Sequence, residues 1–262
     1  MLSVVITTYT NHAALARVLE GFRRQTCKDF ELFVVNDGGP EVDKALFEGD
    51  MPVTYLYLGP ETTDFRLAAT RNLGLKHSTG ERVMFVDEDC VPAYNLVAEH
   101  SLYGSRDVIV CSNRHAVHDW EWPRITDHSA ISRVGHSPRC KCYVDGHHDN
   151  YEIVFRDRYN PTINRIHYAF EDAWSACTSY PSKMIKSIGG FWEEFVGWGG
   201  EDGELAMRCT ALNCTILLRP DLCYYHLNHP TRESKPGWED RCTALFEKSK
   251  AMPDLIRNGG PL

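Results

Sequence analysis

Over the first 112 residues, apolar and polar positions alternate between short β-branched runs and stripes at helical spacing. Leu2-Ser3-Val4-Val5-Ile6-Thr7-Thr8 is an apolar run ending in small polar residues, the pattern of a buried parallel strand that opens into a ligand-side loop. Asn11 is placed to cap a helix in which Leu15, Val18, Leu19 and Phe22 recur until polar residues around Lys28 end it. Phe30 to Asn36 predicts a second strand, followed by the turn Asp37-Gly38-Gly39-Pro40, so the chain opens with a βαβ unit. Met51 to Leu58 predicts a third strand and Leu67 to Lys76 a helix. Arg82-Val83-Met84-Phe85-Val86 then forms a strand that ends on Asp87-Glu88-Asp89. Pro92 predicts the start of a helix running to about Tyr103, and Val108 to Cys111 predicts one more strand.

From Asn113 to about Ala169 the periodicity fades into a stretch rich in His, Arg, Trp, Tyr and Pro, which reads as irregular loops. A structureless segment of that length inside a domain is commonly functional, so it is the candidate acceptor region. Order returns from Ala173 to Tyr180, with a helical turn over Ser182 to Ser187 and a Gly189-Gly190-Phe191 loop. A helix from Glu201, a strand over Thr215 to Leu218 and an amphipathic helix from Asp240 to Lys250 complete the pattern. The expected architecture is a single α/β domain, with a Rossmann-like, doubly wound nucleotide-binding half at 1–112 and an acceptor-side, catalytic half at 113–262.

A chain of 262 residues is long enough for one sizeable core, and 43% hydrophobic with 24% charged residues is the balance of a soluble globular protein. The formal charge of −8 argues against a nucleic-acid binder, which needs a basic face. No stretch has the length of a membrane span, and Met1 runs straight into the first strand without a secretory signal. The expectation is a cytoplasmic protein whose ten cysteines are reduced thiols.

Three separate stretches carry candidate chemistry. Gly197-Trp198-Gly199-Gly200-Glu201-Asp202 puts two carboxylates at a helix start, where the macrodipole favours anions; an ordinary acidic cap is the duller reading. Asp87-Glu88-Asp89 closes a strand at the carboxyl edge, where open α/β sheets bind ligands. His226-Leu227-Asn228-His229 adds imidazoles. Brought together, such groups can ligate a divalent metal and leave Asp202 as a base. The middle stretch offers a rival zinc site in His136, Cys140, Cys142, His147 and His148, although this spacing is not a common zinc pattern. Arg114, Arg124, Arg133, Arg139 and Arg156 lie among aromatics there, either for a phosphorylated or nucleic-acid acceptor or simply as a solvated loop face.

On these motifs the chain resembles a GT-A fold glycosyltransferase and is similar to the large family 2 of inverting transferases. Val4-Val5-Ile6-Thr7-Thr8-Tyr9 resembles the family's opening strand, Val35-Asn36-Asp37-Gly38-Gly39 its base-reading turn, and Thr70-Arg71-Asn72-Leu73-Gly74 its Ala-Arg-Asn-x-Gly helix. Phe85-Val86-Asp87-Glu88-Asp89 resembles its metal-binding triplet. Ile188-Gly189-Gly190-Phe191-Trp192-Glu193-Glu194-Phe195 with Gly197 to Asp202 resembles both chondroitin-type polymerases and β-1,4-galactosyltransferases.

The resemblance implies a nucleotide-sugar donor, most simply a UDP-sugar, held by Thr7, Thr8, Tyr9, Asp37, Arg71, Asp87 and Glu88. It implies Mn²⁺ or Mg²⁺ bound through Asp89 and His229, with Asp87 and His226 as further ligands. Asp202 matches the inverting base, Glu201 the acid that orients acceptor or metal-bound groups, and Trp198, Gly199 and Gly200 the acceptor wall. Duller roles compete: Asp37 as a turn former, Arg71 as a surface helix charge against a functional place near the donor's phosphates or holding Asp87, His226 as a core histidine or one behind the metal ligands, Trp198 as packing. A retaining transferase, a nucleotidyltransferase and a non-catalytic nucleotide-sugar-binding module are the alternative functions. The Asp after Glu201 favours inversion over the retaining polypeptide N-acetylgalactosaminyl enzymes, which carry Asn there.

Overall fold

The computed structural model describes residues 1–60, 65–117, 166–167, 173, 175–197, 199–227 and 237–262. Within them the chain forms β1 (Leu2–Thr8), α1 (His12–Arg23), β2 (Phe30–Asn36), β3 (Val53–Tyr57), α2 (Leu67–His77), β4 (Arg82–Asp87) and β5 (Cys90–Pro92). These are followed by α3 (Leu96–Ser101), β6 (Val108–Val117), β7 (Ile166–His167), β8 (Thr178–Pro181), α4 (Ser182–Ser187), α5 (Glu201–Ala211), β9 (Thr215–Leu227) and α6 (Trp238–Ala251).

The strands form one mixed sheet in the order β3-β2-β1-β4-β8-β6-β9-β5, with β7 pairing beside β9. β3, β2, β1 and β4 are parallel, while β8 runs antiparallel to both β4 and β6. The 1–112 and 113–262 halves therefore share a sheet, because β8 from the second half inserts between β4 and β6 of the first. Arg82 helps hold that insertion: its fully buried guanidinium donates to the carbonyls of Ser179 on β8 and Val108 on β6.

Alternation along β1 sends Leu2, Val4 and Ile6 to one face, where they pack with Leu15, Val18, Leu19 and Phe22 of α1. Val5 faces the other side with Phe33, Val35, Leu75 of α2 and Leu205 of α5. Helices thus cover both faces of the parallel half, as its continuous apolar strands require. Asn11 caps α1 as expected, its side-chain oxygen accepting from the Ala14 amide. α2 lies so close to β1 that a Cβ on Gly74 would meet Val5 Cγ1 at 2.3 Å. Gly74→Ala is therefore expected to destabilise the fold by about 1–3 kcal/mol through overpacking, read as a lower urea midpoint.

Several elements differ from the sequence expectation: β6 continues past Cys111 to Val117 and β7 forms at Ile166–His167, both inside the 113–169 stretch that reads as irregular loops, because each finds a pairing partner in the distant β9. Pro92 ends a strand instead of starting a helix, and α3 begins only at Leu96. β5 stands at the end of the sheet order, where a residue without an N–H is tolerated, so the proline signal was ambiguous between the two roles. The strand expected over Thr215 to Leu218 continues to Leu227, through a register shift in which Ser112 faces Arg219 but Asn113 faces Cys223. Pro220 falls inside that bulge and reads in the sequence as a strand end. Among the described residues no helix is long and apolar enough to cross a membrane, and the eight described cysteines are free thiols.

Candidate active site

The parallel register aligns the ends of β1, β2 and β4, with Thr7 opposite Asp87 and Thr8 opposite Asn36, so their loops open on one edge. Glu88 ties this edge together. Its carboxylate accepts from Thr8 Oγ1 at 2.5 Å and from the Tyr9 and Asn11 amides at 3.1 and 3.3 Å, which anchors the β1–α1 loop. Thr7 Oγ1 donates to Asp87 at 3.3 Å. At the end of β2, Asp37 is only 4% exposed and accepts from the Arg66 amide at 2.8 Å and Arg66 Nε at 3.0 Å. Burial pushes its carboxyl up, and Arg66 pulls against that. Sequence reasoning missed Arg66; its position one residue before the predicted helix was the available signal.

The bulge in β9 brings the far end of the chain to the same edge. β5 and β9 pair antiparallel with Cys90 opposite His226, and the Leu227 amide donates to the Asp89 carbonyl at 2.9 Å. His226 Nε2 stands 3.3 Å from Asp89 Oδ2, so His226 faces the acidic loop and is not a core residue. Two ligands at right angles on one octahedral ion, each about 2.1 Å from it, stand about 3 Å apart, so this spacing suits a shared cation. A carboxylate beside an imidazole is also donor chemistry that suits Mn²⁺. Among the described residues no group of three such ligands converges, and His229 lies outside the described residues.

Arg71 joins the acids at the end of β4 to the start of α5. From α2 it donates through Nη2 to Asp87 Oδ1 at 3.2 Å and through Nη1 to Glu201 Oε1 at 2.5 Å, with its guanidinium 5.4 Å from the centroid of the Phe191 ring. Its reading as a surface helix charge is excluded, because the residue is 3% exposed. Burial opposes its charge, but Glu201, Asp87 and Asp202 outweigh that and push its pKa up. Burial also raises the Asp87 carboxyl against the pull of Arg71. For Glu201, burial and then the charge of Asp202 push the carboxyl up to about 7, with Arg71 opposing. Glu201 is thus turned inward onto Arg71.

Asp202 is half-buried at the first turn of α5, where Oδ1 accepts from the Gly203 amide at 2.8 Å and Oδ2 from the Ser175 amide at 3.1 Å. Among the described residues both partners are backbone donors and no side-chain cation pairs with it directly, in contrast to Glu201. Ser175 was absent from the sequence reading, since nothing in its local pattern marks a loop that meets a residue 27 positions away. The loop before α5 turns through positive φ at Gly197, Gly199 and Gly200, and the Gly197 amide donates to the Phe65 carbonyl at 2.8 Å. Trp198 lies outside the described residues, as do His136, Cys140, Cys142, His147, His148, Arg124, Arg133, Arg139 and Arg156. Arg114 is described, on β6. A cavity of about 510 Å³ lined by Trp192, Glu193, Glu194, Lys248 and Arg257 shares none of these site residues.

A parallel half-sheet with acids at its carboxyl edge, extended by antiparallel strands that bring in a helix bearing Glu-Asp, is the GT-A glycosyltransferase fold. Solved structures share it. S. aureus TarS 1-349 in complex with UDP matches with a TM-score of 0.60 at 17% identity, covering 95% of this chain and 64% of that one. GalNAc-T7 with UDP, GalNAc and Mn²⁺ matches with a TM-score of 0.64 at 14% identity, over 95% and 50%. The chain belongs to glycosyl transferase family 2, whose sequence profile matches residues 3–169. A second profile, described as the N-terminal domain of galactosyltransferase, matches residues 162–230, the span that carries Glu201, Asp202 and His226. Among relatives, the validoxylamine A glucosyltransferase of Streptomyces hygroscopicus subsp. limoneus is 29% identical over 227 residues, covering 80% of this chain and 48% of that protein. The chondroitin synthase of Escherichia coli is 25% identical over 255 residues, covering 89% and 36%. The chain therefore spans about half, or less, of the length of these relatives.

Proposed function

We propose that the chain catalyses metal-dependent, inverting transfer of a sugar from a UDP-linked donor to a hydroxyl of a carbohydrate or similar acceptor. The observation that carries this reading is the buried Arg71, which bridges Asp87, two residues before the Asp89 that pairs with His226, to Glu201, the residue before Asp202. The UDP complexes of TarS and GalNAc-T7 support the donor class, and the Mn²⁺ of the latter supports the metal.

In this reading Asp37 with Arg66, together with Thr7, Thr8 and Tyr9, frames the nucleotide end of the donor. Glu88 holds the shape of that loop. Asp89 and His226, joined by His229 and Asp87, would hold the cation. When bound, it supplies Lewis-acid stabilisation of charge on the departing diphosphate. Asp202 takes the proton of the acceptor hydroxyl as that oxygen attacks the anomeric carbon from the face opposite the leaving group. Glu201, engaged by Arg71, fixes the start of the helix that carries the base. One displacement inverts the anomeric centre, and NMR analysis of the product anomer tests it: a retained configuration removes Asp202 from the base role.

The metal assignment has its own test. Asp89→Ala is expected to weaken Mn²⁺-dependent UDP binding by more than the ~10–100-fold that loss of an outer partner of a ligand costs. Titration calorimetry of UDP with and without Mn²⁺ reads this directly, and unchanged Mn²⁺-dependent affinity would reject Asp89 as a ligand.

A further inference from the structure

The helix α6 packs against the loop that delivers the catalytic acids, although nothing in its sequence marks it as part of the site. Arg241 Nη2 donates to the Val196 carbonyl, and a Cβ on Gly197 would lie 2.7 Å from that nitrogen. One residue on, Cys242 Sγ is 3.1 Å from the Gly199 carbonyl oxygen, and a Cβ on Gly200 would lie 3.5 Å from Cys242 Cβ. On its other side the loop is held by the Phe65 carbonyl. Three glycines with φ of 106°, 91° and 95° leave the loop backbone little preference of its own, so its shape must come from these outside contacts. Gly200 is the N-cap of α5, and Asp202 lies two residues further on.

We propose that Cys242, with Arg241 beside it, is a positioning residue for transfer: its thiol holds the Gly199 carbonyl and thereby the start of α5 and the Asp202 carboxylate. The inference rests on the glycosyltransferase reading given above. A thiol can do this only while protonated. Burial, followed by the nearby Glu201 charge, pushes the Cys242 thiol up, which keeps it an S–H donor at neutral pH. Both contacts are to backbone carbonyls, so the hold does not depend on which side chain the loop presents.

The test compares Cys242→Ala with Cys242→Ser in the full chain, using UDP-glucose and UDP-N-acetylgalactosamine with Mn²⁺ and following UDP release. Serine restores an O–H donor to Gly199, whereas alanine removes it. Cys242→Ala is expected to lower kcat about tenfold, with the donor KM changed less than about twofold and the melting temperature unchanged. Cys242→Ser is expected to recover most of that loss. Amide exchange of Gly199 to Gly203 should quicken in the alanine variant alone. Wild-type turnover in Cys242→Ala, or equal impairment of both variants, would overturn the proposal. If the wild-type chain releases no UDP from either donor, the functional reading is what fails. The exchange measurement then decides the clamp by itself: faster exchange confined to Gly199 to Gly203 supports it, and unchanged exchange refutes it.

Discussion

Asp202→Asn is expected to slow sugar transfer by about 10²–10⁴-fold, the usual contribution of a positioned general base. UDP and Mn²⁺ should bind as before, because Asp202 touches neither Asp89 nor His226 among its hydrogen-bond partners. The substitution preserves the side-chain outline, and its amide oxygen can still accept from Gly203. It cannot take a proton from an attacking hydroxyl. The same change at Glu201 acts differently. Glu201 is buried against Arg71, so Glu201→Gln weakens a charge-assisted bond at the heart of the site and disturbs donor and acceptor sides together. The measurement is UDP release from the preferred donor in the presence of its acceptor, alongside calorimetric UDP binding. Near-normal turnover by Asp202→Asn would show that another group takes the proton.

The largest expected effect on stability is elsewhere, in a buried charge network on α5. Glu204 and Arg208, one turn apart on α5, are both fully buried. Arg208 donates to both Glu204 oxygens and to the carbonyls of Ile188 and Gly190. Arg257 and Ser249 complete the cluster at Glu204 Oε1, at 3.1 and 2.6 Å. Removing one partner from such a cluster strands buried charge and carbonyls. Arg208→Met should therefore cost about 3–5 kcal/mol despite keeping much of the side-chain volume. Chemical denaturation measures it. The control is Glu194→Ala, which breaks the exposed Lys248 pair and should change stability by less than about 0.5 kcal/mol. Similar losses for both would mean that the α5 network does not anchor the fold.

This network also explains why α5 can carry a functional N-terminus. α5 is pinned through Arg208 to the Ile188–Gly190 turn and, from its first turn, through Glu204 to Ser249 and Arg257, so Glu201 and Asp202 project from a fixed base. Asn72 adds a link from α2, its side chain exchanging hydrogen bonds with the Phe191 backbone. The Asn of the Thr70-Arg71-Asn72-Leu73-Gly74 motif is thus a brace between the parallel half of the sheet and the turn that precedes the Gly197–Gly200 loop.

The primary structure alone determined the parallel half. β1, α1, β2, α2 and β4 are local periodic patterns, with Asn11 capping α1 and Asp37-Gly38-Gly39-Pro40 turning after β2, and the acids at the end of β4 follow from where that strand stops. It also placed Asp202 at a helix N-terminus, because Gly-Gly before Glu-Asp and an apolar stripe after it are visible within a few residues. Only the tertiary structure decided what pairs with what. The insertion of β8 between β4 and β6, the bulge at Pro220 that carries His226 to Asp89, the inward turn of Glu201 onto Arg71 and the contacts of Arg66 and Ser175 with Asp37 and Asp202 all join positions far apart in the chain. Local propensity reports the energy of neighbouring residues, whereas these contacts are set by burial and charge satisfied across the whole sheet, and no window of sequence contains both partners.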